Sequence, residues 1–272
     1  MIRVIPAFLA LLLGSTALAE PVAVVPPARP DATIGIAYSI AFWGIQFGYT
    51  NYQASFAGGV YSAASHFETS GIVSLLWQAS IDASAVGRIG PQTLTPTRYD
   101  SFYRRGSSKR ERVQVAFDSN GVETFADPPY DTTKYPVTPA EKREAVDPMS
   151  AIARVLAGAI ADRANPCGTV APVFDGRRRY DIEFTYIKDE PVALDNGLYK
   201  GPAHLCQLHY RQIAGFKPKI LREGAAFPAI FGDFADIPAA GAPNGRYVVA
   251  LKLWSRLDWG TVSAQLTKLR IP

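Results

Sequence analysis

Residues 170–187, with the sequence VAPVFDGRRRYDIEFTYI, indicate most directly how this chain folds. The dipeptide Asp175-Gly176 is typical of a tight hairpin turn between two strands. After the turn the side chains alternate between two faces: apolar Tyr180, Ile182, Phe184 and Tyr186 on one, and polar Arg179, Asp181, Glu183 and Thr185 on the other. This alternation predicts an antiparallel sheet with one buried face.

The same β texture extends in both directions from this hairpin. Apolar residues spaced by two begin at Thr33 and continue to Phe125, with Ile72–Ala83 among the predicted strands. They resume at Leu205 and run to the end of the chain, interrupted by a proline-containing segment, Lys217–Asn244, that we interpret as loop. The pattern predicts about eleven strands in all.

One helix is predicted among these strands. Asp147 is a favoured N-cap, Pro148 suits the first helical position, and apolar residues then recur at intervals of three and four. We expect a helix over residues 147–163, preceded by a surface loop at 127–146. Residues 33–272 should form a single, mainly β domain. Its fold would be a strongly curved antiparallel sheet, an open barrel or β-spiral, wrapped on this one long α-helix.

Residues 1–19 have the three-part layout of a secretory signal peptide. Arg3 supplies a positive charge, an apolar run follows from Ile5 to Leu13, and Ala17-Leu18-Ala19 forms a small-residue cleavage site. The apolar run is too short for a membrane span, which needs about 20 residues. We therefore expect cleavage after Ala19, a Pro-rich leader at residues 20–32, and an exported chain without a transmembrane segment.

Cysteine and histidine are scarce, which limits the chemistry available to the chain: it has two Cys and three His. In an oxidising compartment the two cysteines most simply form one disulfide, Cys167–Cys206. His204, Cys206 and His209 could indicate a metal site, but on a strand His209 faces away from the other two. We predict no metal site and no cofactor.

No catalytic residue can be assigned from the sequence. The chain contains no G-x-S-x-G nucleophile motif. His66 is the remaining base candidate, and a paired or exposed histidine on a strand is its simpler interpretation. Carboxylates are abundant, yet their spacing singles out no acid–base pair.

The excess positive charge of the chain, +4 in total, is concentrated in one predicted hairpin. Six basic residues lie there: Arg98, Arg104, Arg105, Lys109, Arg110 and Arg112. They could bind an anionic ligand or the headgroups of a membrane. Alternatively, they protect a solvated hairpin from edge-to-edge pairing. Export makes nucleic acid an improbable partner.

A second set of candidate residues is aromatic. It consists of Phe42, Trp43, Phe47, Trp77, Trp254 and Trp259. These side chains could line an apolar cavity, or they could simply fill the core of the protein.

The string FDGRRRYD at residues 174–181 resembles the corresponding hairpin of an exported proteobacterial family of unknown function, domain of unknown function 3108. The helix opening Asp147-Pro148-Met149-Ser150 and the placement of Cys167 before and Cys206 after the hairpin also fit that family. The resemblance implies a periplasmic, largely antiparallel β protein of Gram-negative bacteria, without known catalytic residues. More distantly, the predicted architecture is similar to periplasmic lipoprotein carriers and related β-spiral envelope proteins.

The sequence therefore favours a non-enzymatic envelope protein of the periplasm. We expect it to bind an apolar or amphiphilic ligand, or a partner protein, in the concave face of its sheet; a lipid, a lipoprotein or another envelope protein would be the partner. The alternatives are a hydrolase acting on envelope polymers and a scaffold without a ligand. A cavity lined only by apolar groups would favour carriage, whereas two carboxylates converging in a cleft would favour hydrolysis.

Overall fold

The computed structural model describes residues 32–90, 92–158, 167–223 and 227–271. The predicted signal peptide, its cleavage site and all of the leader except Ala32 lie outside these residues. Among the described helices, none is long and apolar enough to cross a membrane.

Thirteen strands make up most of the described chain, and the prediction of a mainly β fold is confirmed. The first seven are β1 (Ala32–Phe42), β2 (Ile45–Ala57), β3 (Val60–Thr69), β4 (Ala79–Ile89), β5 (Leu94–Arg105), β6 (Lys109–Asp118) and β7 (Gly121–Asp127). The others are β8 (Val170–Phe174), β9 (Arg179–Ala193), β10 (Lys200–Ala214), β11 (Ile230–Pro238), β12 (Arg246–Leu257) and β13 (Gly260–Arg270).

All thirteen strands belong to one antiparallel sheet. Its order is β7-β6-β5-β4-β3-β2-β1-β13-β12-β11-β10-β9-β8, so the first and last strands of the chain pair with each other at its centre. The sheet is not closed, since β7 and β8 remain its two edges. It is nevertheless strongly curved: the β8–β9 turn at one edge packs against β6 near the other, where a Cβ atom on Gly176 would lie only 2.4 Å from the side chain of Val113.

Four short helices accompany the sheet: α1 (Gly71–Leu76), α2 (Pro139–Arg143), α3 (Pro148–Leu156) and α4 (Pro218–Glu223). The segment predicted as a surface loop, residues 127–146, contains α2, which begins with a capping box formed by Thr138 and Glu141. α3 lies inside the curve of the sheet and contacts β3, β4, β5, β8 and β12.

The prediction of one long helix over residues 147–163 is wrong. α3 begins as expected, with Asp147 as its N-cap and Pro148 in its first turn, but it has nine residues and ends at Leu156. The reason is Gly158, whose φ of +61° places it in the left-handed region that terminates helices. Residues 159–163 lie outside the described part of the chain.

Two further segments differ from the sequence-based expectation. Ile72–Ala83 was expected to be a strand, but α1 occupies its first half and β4 begins only at Ala79. Lys217–Asn244 was expected to be loop, yet it contains α4 and the whole of β11. β11 is short and contains a glycine, and it is held as a strand by pairing with β10 and β12, which local sequence patterns do not reveal.

The main hydrophobic core lies between the concave face of the sheet and α3. Ile34, Tyr52 and Tyr61 contribute to it from three neighbouring strands, and Met149 and Ala153 contribute from α3. Along β1 every second residue from Ala32 to Tyr38 is buried, which is the period-two pattern expected of a strand with one face in the core.

Candidate functional site

An apolar cavity of about 590 Å³ lies between α3 and the concave face of the sheet. α3 contributes Ala151, Ile152 and Val155 to its lining, and β9 contributes Tyr180 and Phe184. The remaining lining comes from strands of both halves of the sheet, from β1 to β3 and from β8 to β13. Its volume falls in the range of about 300–1,000 Å³ that is typical of small-molecule sites.

The short length of α3 and small side chains explain why this space is not filled. Nine residues of α-helix extend only about 14 Å, so α3 fills one part of the concave face and leaves another part open. Around the gap, Ala171, Ala250 and Ala264 take positions where larger residues would close it. Ile152, on the cavity side of α3, is 44% exposed, so the space communicates with solvent.

Two hydrogen-bonded contacts fix α3 against the sheet and so hold this wall in place, and a third caps the helix itself. The Tyr52 hydroxyl donates to the carbonyl oxygen of Met149 at 2.9 Å, and the hydroxyls of Tyr61 and Ser150 are 2.5 Å apart. The backbone N–H of Ser150 donates to the Asp147 carboxylate at 2.9 Å. All of these groups are buried, so losing one partner would leave an unsatisfied polar atom.

The tyrosine hydroxyls around the cavity are neutral. The Tyr38 hydroxyl donates to the carbonyl oxygen of Ala250 at 2.8 Å, so its proton is not available to a ligand. Burial raises the pKa of Tyr210 to about 12 and raises the pKa of Tyr180 as well, so both phenols stay protonated. No Asp, Glu, Lys or Arg is among the described lining residues. Such walls suit an apolar chain and provide no acid–base pair.

The Cys167–Cys206 disulfide, predicted from the sequence, is present and supports the cavity from behind. Both cysteines are fully buried in a small cluster with Phe234 and Val248, and Phe184 packs against that cluster. These three hydrophobic residues also line the cavity. The disulfide thus joins the segment preceding β8 to β10 at a point where their relative position shapes the cavity wall.

The metal-like pattern at residues 204–209 has other roles in the structure. Cys206 belongs to the disulfide, and the Nδ1 atom of His204 lies 2.6 Å from a carboxylate oxygen of Asp189. His209 lies at the cavity and is exposed. Within the described residues, no group of three or more His, Cys, Asp or Glu side chains is arranged to hold a metal ion.

One pair of carboxyl groups does interact, away from the cavity. Burial raises the pKa of Asp233 to about 6, with a further contribution from neighbouring Glu190. Asp233 precedes Phe234, which lines the cavity, so its side chain points to the opposite face of β11. Lys188 and Lys252 flank the pair and lower the pKa of Asp233 in turn.

The predicted aromatic residues lie elsewhere. Phe42, Trp43 and Trp259 form a ring cluster at one end of the sheet, with centroid distances of 5.1 Å from Phe42 to Trp43 and 5.0 Å from Phe42 to Trp259. Trp43 occupies the β1–β2 turn and Trp259 the β12–β13 turn, and both are exposed. None of the three is among the described residues that line the cavity.

The other three predicted aromatic residues lie near the same end. Trp77 directly follows α1 and is half exposed, and the carbonyl oxygen of Phe47 accepts a hydrogen bond from the N–H of Ser70 at 2.7 Å. Trp254 stacks on Phe231 with ring centroids 6.0 Å apart. The described lining of the cavity contains none of these residues either.

The six predicted basic residues are divided between the two faces of the β5–β6 hairpin. Strand pairing places Arg98, Arg104, Arg110 and Arg112 on one face and Arg105 and Lys109 on the other. On the first face, Arg104 pairs with Asp82 at 2.7 Å and Arg112 with Asp100 at 2.6 Å. Within the described chain, Arg105 and Arg110 form no ion pair.

The structure brings the aromatic and basic sets together, although no sequence pattern linked them. The N–H of Gly106, at the tip of the basic hairpin, donates to the carbonyl oxygen of Gln78 at 2.9 Å, next to Trp77.

The sequence did contain one signal for the cavity: Tyr180, Ile182 and Phe184, the apolar face of the predicted strand, all line it. The curvature that turns this face into a cavity wall was not visible in the sequence.

Comparison with known proteins identifies a family but no activity. The model of a family described as a protein of unknown function, DUF3108, matches residues 37–224, and it confirms the resemblance noted in the sequence. No curated protein matches the chain. A solved structure of a beta-barrel-like protein of domain of unknown function DUF1849 from Brucella abortus is similar, with a TM-score of 0.54 and 12% identity. The alignment covers 90% of this chain and 99% of that one. At this identity the likeness shows the fold alone.

Proposed function

The chain belongs to the DUF3108 family of proteins of unknown function, and we propose that it is a non-enzymatic envelope protein that binds an apolar or amphiphilic ligand beneath α3. The observation that carries this proposal is the cavity of about 590 Å³ without a charged residue among its described lining. Burying an apolar chain there would remove hydrocarbon from water at roughly 25 cal/mol per Å².

The shape of the site suggests an amphiphile more than a fully apolar molecule. Its interior walls are aliphatic and aromatic, whereas Thr50 and Ser65 provide hydroxyl groups in its lining. A ligand could place its acyl chain between α3 and β9 and leave a polar headgroup near these side chains or in water. A carrier of lipids or of lipid-modified proteins would use such an arrangement.

Export to the periplasm is part of the proposal. It is supported by the layout of residues 1–19 and by a disulfide, a bond that persists mainly in oxidising compartments. A partner protein bound in the same concavity is the nearest alternative. A hydrolase has less support, because the Glu190–Asp233 carboxyl pair faces away from the cavity and is flanked by lysines.

Ligand binding can be measured with a fluorescent acyl probe, dansyl-undecanoic acid, and competition by lysophospholipid. The test variant is Ala264→Phe, which adds a ring at a position lining the cavity. The matched control is Ala64→Phe, which adds the same ring at an exposed position of β3. We expect the wild type and the control to bind the probe with the same affinity and the cavity variant to bind at least tenfold more weakly.

Two results would contradict the proposal. One is the absence of probe binding by the wild type. The other is equal binding by the cavity variant, which would place the probe elsewhere on the surface. Native mass spectrometry of protein purified gently from its own periplasm provides an independent measurement, in which a co-purifying lipid is the expected result.

A further inference from the structure

We propose that one end of the sheet is a docking edge for a membrane surface rich in anionic phospholipid. This loop edge consists of the β1–β2 turn with Trp43, the β12–β13 turn with Trp259, the segment 70–78 containing α1, and the tip of the β5–β6 hairpin at residues 105–110. The inference is separate from the proposed cavity ligand and uses none of the described residues that line the cavity.

The four parts of the loop edge are neighbours because of the strand order. They connect strands that follow one another across the sheet, from β6 to β12, and all turn at the same end. Hydrogen bonds link adjacent parts: Trp43 N–H donates to the carbonyl oxygen of Thr261 at 2.9 Å, and Gly106 N–H donates to that of Gln78 at 2.9 Å. The edge is therefore a continuous row of connections from distant parts of the chain.

Large apolar side chains point into solvent along this row. Leu75 and Ile72 of α1 are 85% and 75% exposed, Trp43 is 68% exposed, and Ile45 and Trp259 are exposed to a similar degree. Apolar side chains exposed singly need no explanation, but a contiguous group of them marks an interaction site. Tryptophan is also the residue type enriched where proteins meet the headgroup region of a membrane.

The backbone at Trp43 reinforces this interpretation. Its φ is +50°, and that of Gly44 is +79°, so both central residues of the hairpin turn are left-handed. Asn or Asp usually occupies the first of these positions, and a bulky residue there is strained. The chain thus holds an exposed indole at the tip of the turn against the local backbone preference. Strain of this kind points to a function of the side chain.

Charge complementarity favours an anionic membrane as the partner. Arg105, Lys109 and Arg110 lie at the hairpin tip beside Trp77, and Arg256 is close to Trp259. Lys109 also lies over the ring of Tyr103, with its Nζ atom 5.8 Å from the centroid.

Two of the acidic groups near this end are occupied by partners other than those cations. Asp82 is bound by Arg104 and His66, and Glu68 by Tyr49 and His66. Asp258 is exposed beside Arg256. Exposed apolar tips beside cations that form no ion pair within the described part of the chain combine the two terms that govern binding at a membrane interface, buried apolar area and attraction to anionic lipid.

Vesicle flotation with the full purified protein tests the inference. We expect binding to vesicles of phosphatidylethanolamine with phosphatidylglycerol, weaker binding at high salt, and little binding to phosphatidylcholine. Arg105→Gln with Arg110→Gln should weaken binding about 25-fold, which is about fivefold for each removed charge. Trp43→Asn with Leu75→Ser should weaken it at least tenfold, and Asn is suited to the left-handed turn, so this variant should fold.

Matched control variants carry the same kinds of change at the opposite end of the sheet. Val60→Ser with Leu198→Ser removes two exposed apolar groups, and Arg88→Gln with Lys200→Gln removes two charges. Both should bind like the wild type. Equal losses in test and control variants, or no binding of the wild type to anionic vesicles, would overturn the inference. So would self-association in analytical ultracentrifugation that Trp43→Asn with Leu75→Ser abolishes without any vesicle binding, because the edge would then join two copies of the chain.

Discussion

Asp147 shows how one residue serves both local structure and tertiary packing. Its carboxylate caps α3, as its position before Pro148 predicts, but it is also fully buried beside Ser150 and Tyr61. Burial raises the pKa of Asp147 from the ordinary 3.8 to about 6, and hydrogen bonds from Ser150 limit this rise. The sequence indicated the cap, whereas the burial depends on strands far away in the chain.

The raised pKa makes stability depend on pH. The folded state holds the proton of Asp147 more tightly than the unfolded state does, so its stabilising effect is full below pH 3.8 and is lost as pH rises through 6. With about 1.4 kcal/mol for each pKa unit, we expect a loss of about 3 kcal/mol across this range. Urea unfolding at several pH values should show this fall, with a shallower slope in Asp147→Asn.

Asp233 provides the reason why some slope should remain in that variant. Its pKa is also raised to about 6, so it titrates in the same range on the opposite face of the sheet. The double variant Asp147→Asn with Asp233→Asn should then show a smaller slope than either single variant, and Asp175, whose pKa is also raised by burial, accounts for a slope that remains. An unchanged slope in Asp147→Asn alone would show that Asp147 is not the titrating group.

A substitution of Trp43 should change stability and vesicle binding in opposite directions. Because its left-handed conformation suits Asn, Trp43→Asn should stabilise the fold by about 1 kcal/mol in urea unfolding. Loss of the ring contact with Phe42 opposes part of this gain. A stabilised variant that binds anionic vesicles less well would separate the role of Trp43 in binding from folding. A destabilisation of several kcal/mol would instead assign Trp43 a structural role.

Among the elements, the disulfide connects the segment before β8 to β10. Cys167 and Cys206 are 39 residues apart, and a bridge of that span contributes about 4 kcal/mol in the loop-entropy treatment. Cys167→Ala with Cys206→Ala should lower the free energy of unfolding by about that amount. Because the disulfide packs against Phe234 and Val248, which line the cavity, acyl-probe binding should weaken as well.

A core variant far from the disulfide shows whether weaker probe binding follows from lower stability alone or from a changed cavity wall. Val115→Ala removes fully buried apolar volume from the main core, away from the disulfide and outside the described cavity lining. It should cost between about 1 and 4 kcal/mol and leave the affinity for the probe unchanged. If the cysteine variant also kept full affinity, the disulfide would not be shaping the cavity.

Helices and strands could be predicted where neighbouring residues alone determine where they begin or which way their side chains face. Asp147 and Pro148 set the start of α3, and strict alternation marked β9, but the end of α3 at Leu156 contradicted an apolar stripe that continues to Ile160. Gly158 adopts the conformation that ends the helix. A glycine in a helical pattern is ambiguous, since it weakens a helix without always ending it. β11 was missed because its pairing on both sides, not its own composition, holds it as a strand.

For the molecule as a whole, export is the prediction that depends least on the structure. If residues 1–19 are a signal peptide, N-terminal sequencing of the protein from a periplasmic fraction should begin at Glu20. Chemical labelling of the same sample under denaturing conditions should find no free thiol at Cys167 or Cys206. A chain that starts at Met1, or that carries two free thiols, would argue against export.

Four features could be inferred from the sequence, since each depends on a short period, a turn dipeptide or a count: the β character of the chain, the β8–β9 hairpin, the cap of α3 and the single possible cysteine pair. The cavity and the loop edge could not. Both are formed by residues that meet only when thirteen strands curve around a short helix, bringing β1 beside β13 and Phe42 beside Trp259. Packing between distant segments sets that curvature, so the two surfaces exist only in the folded chain.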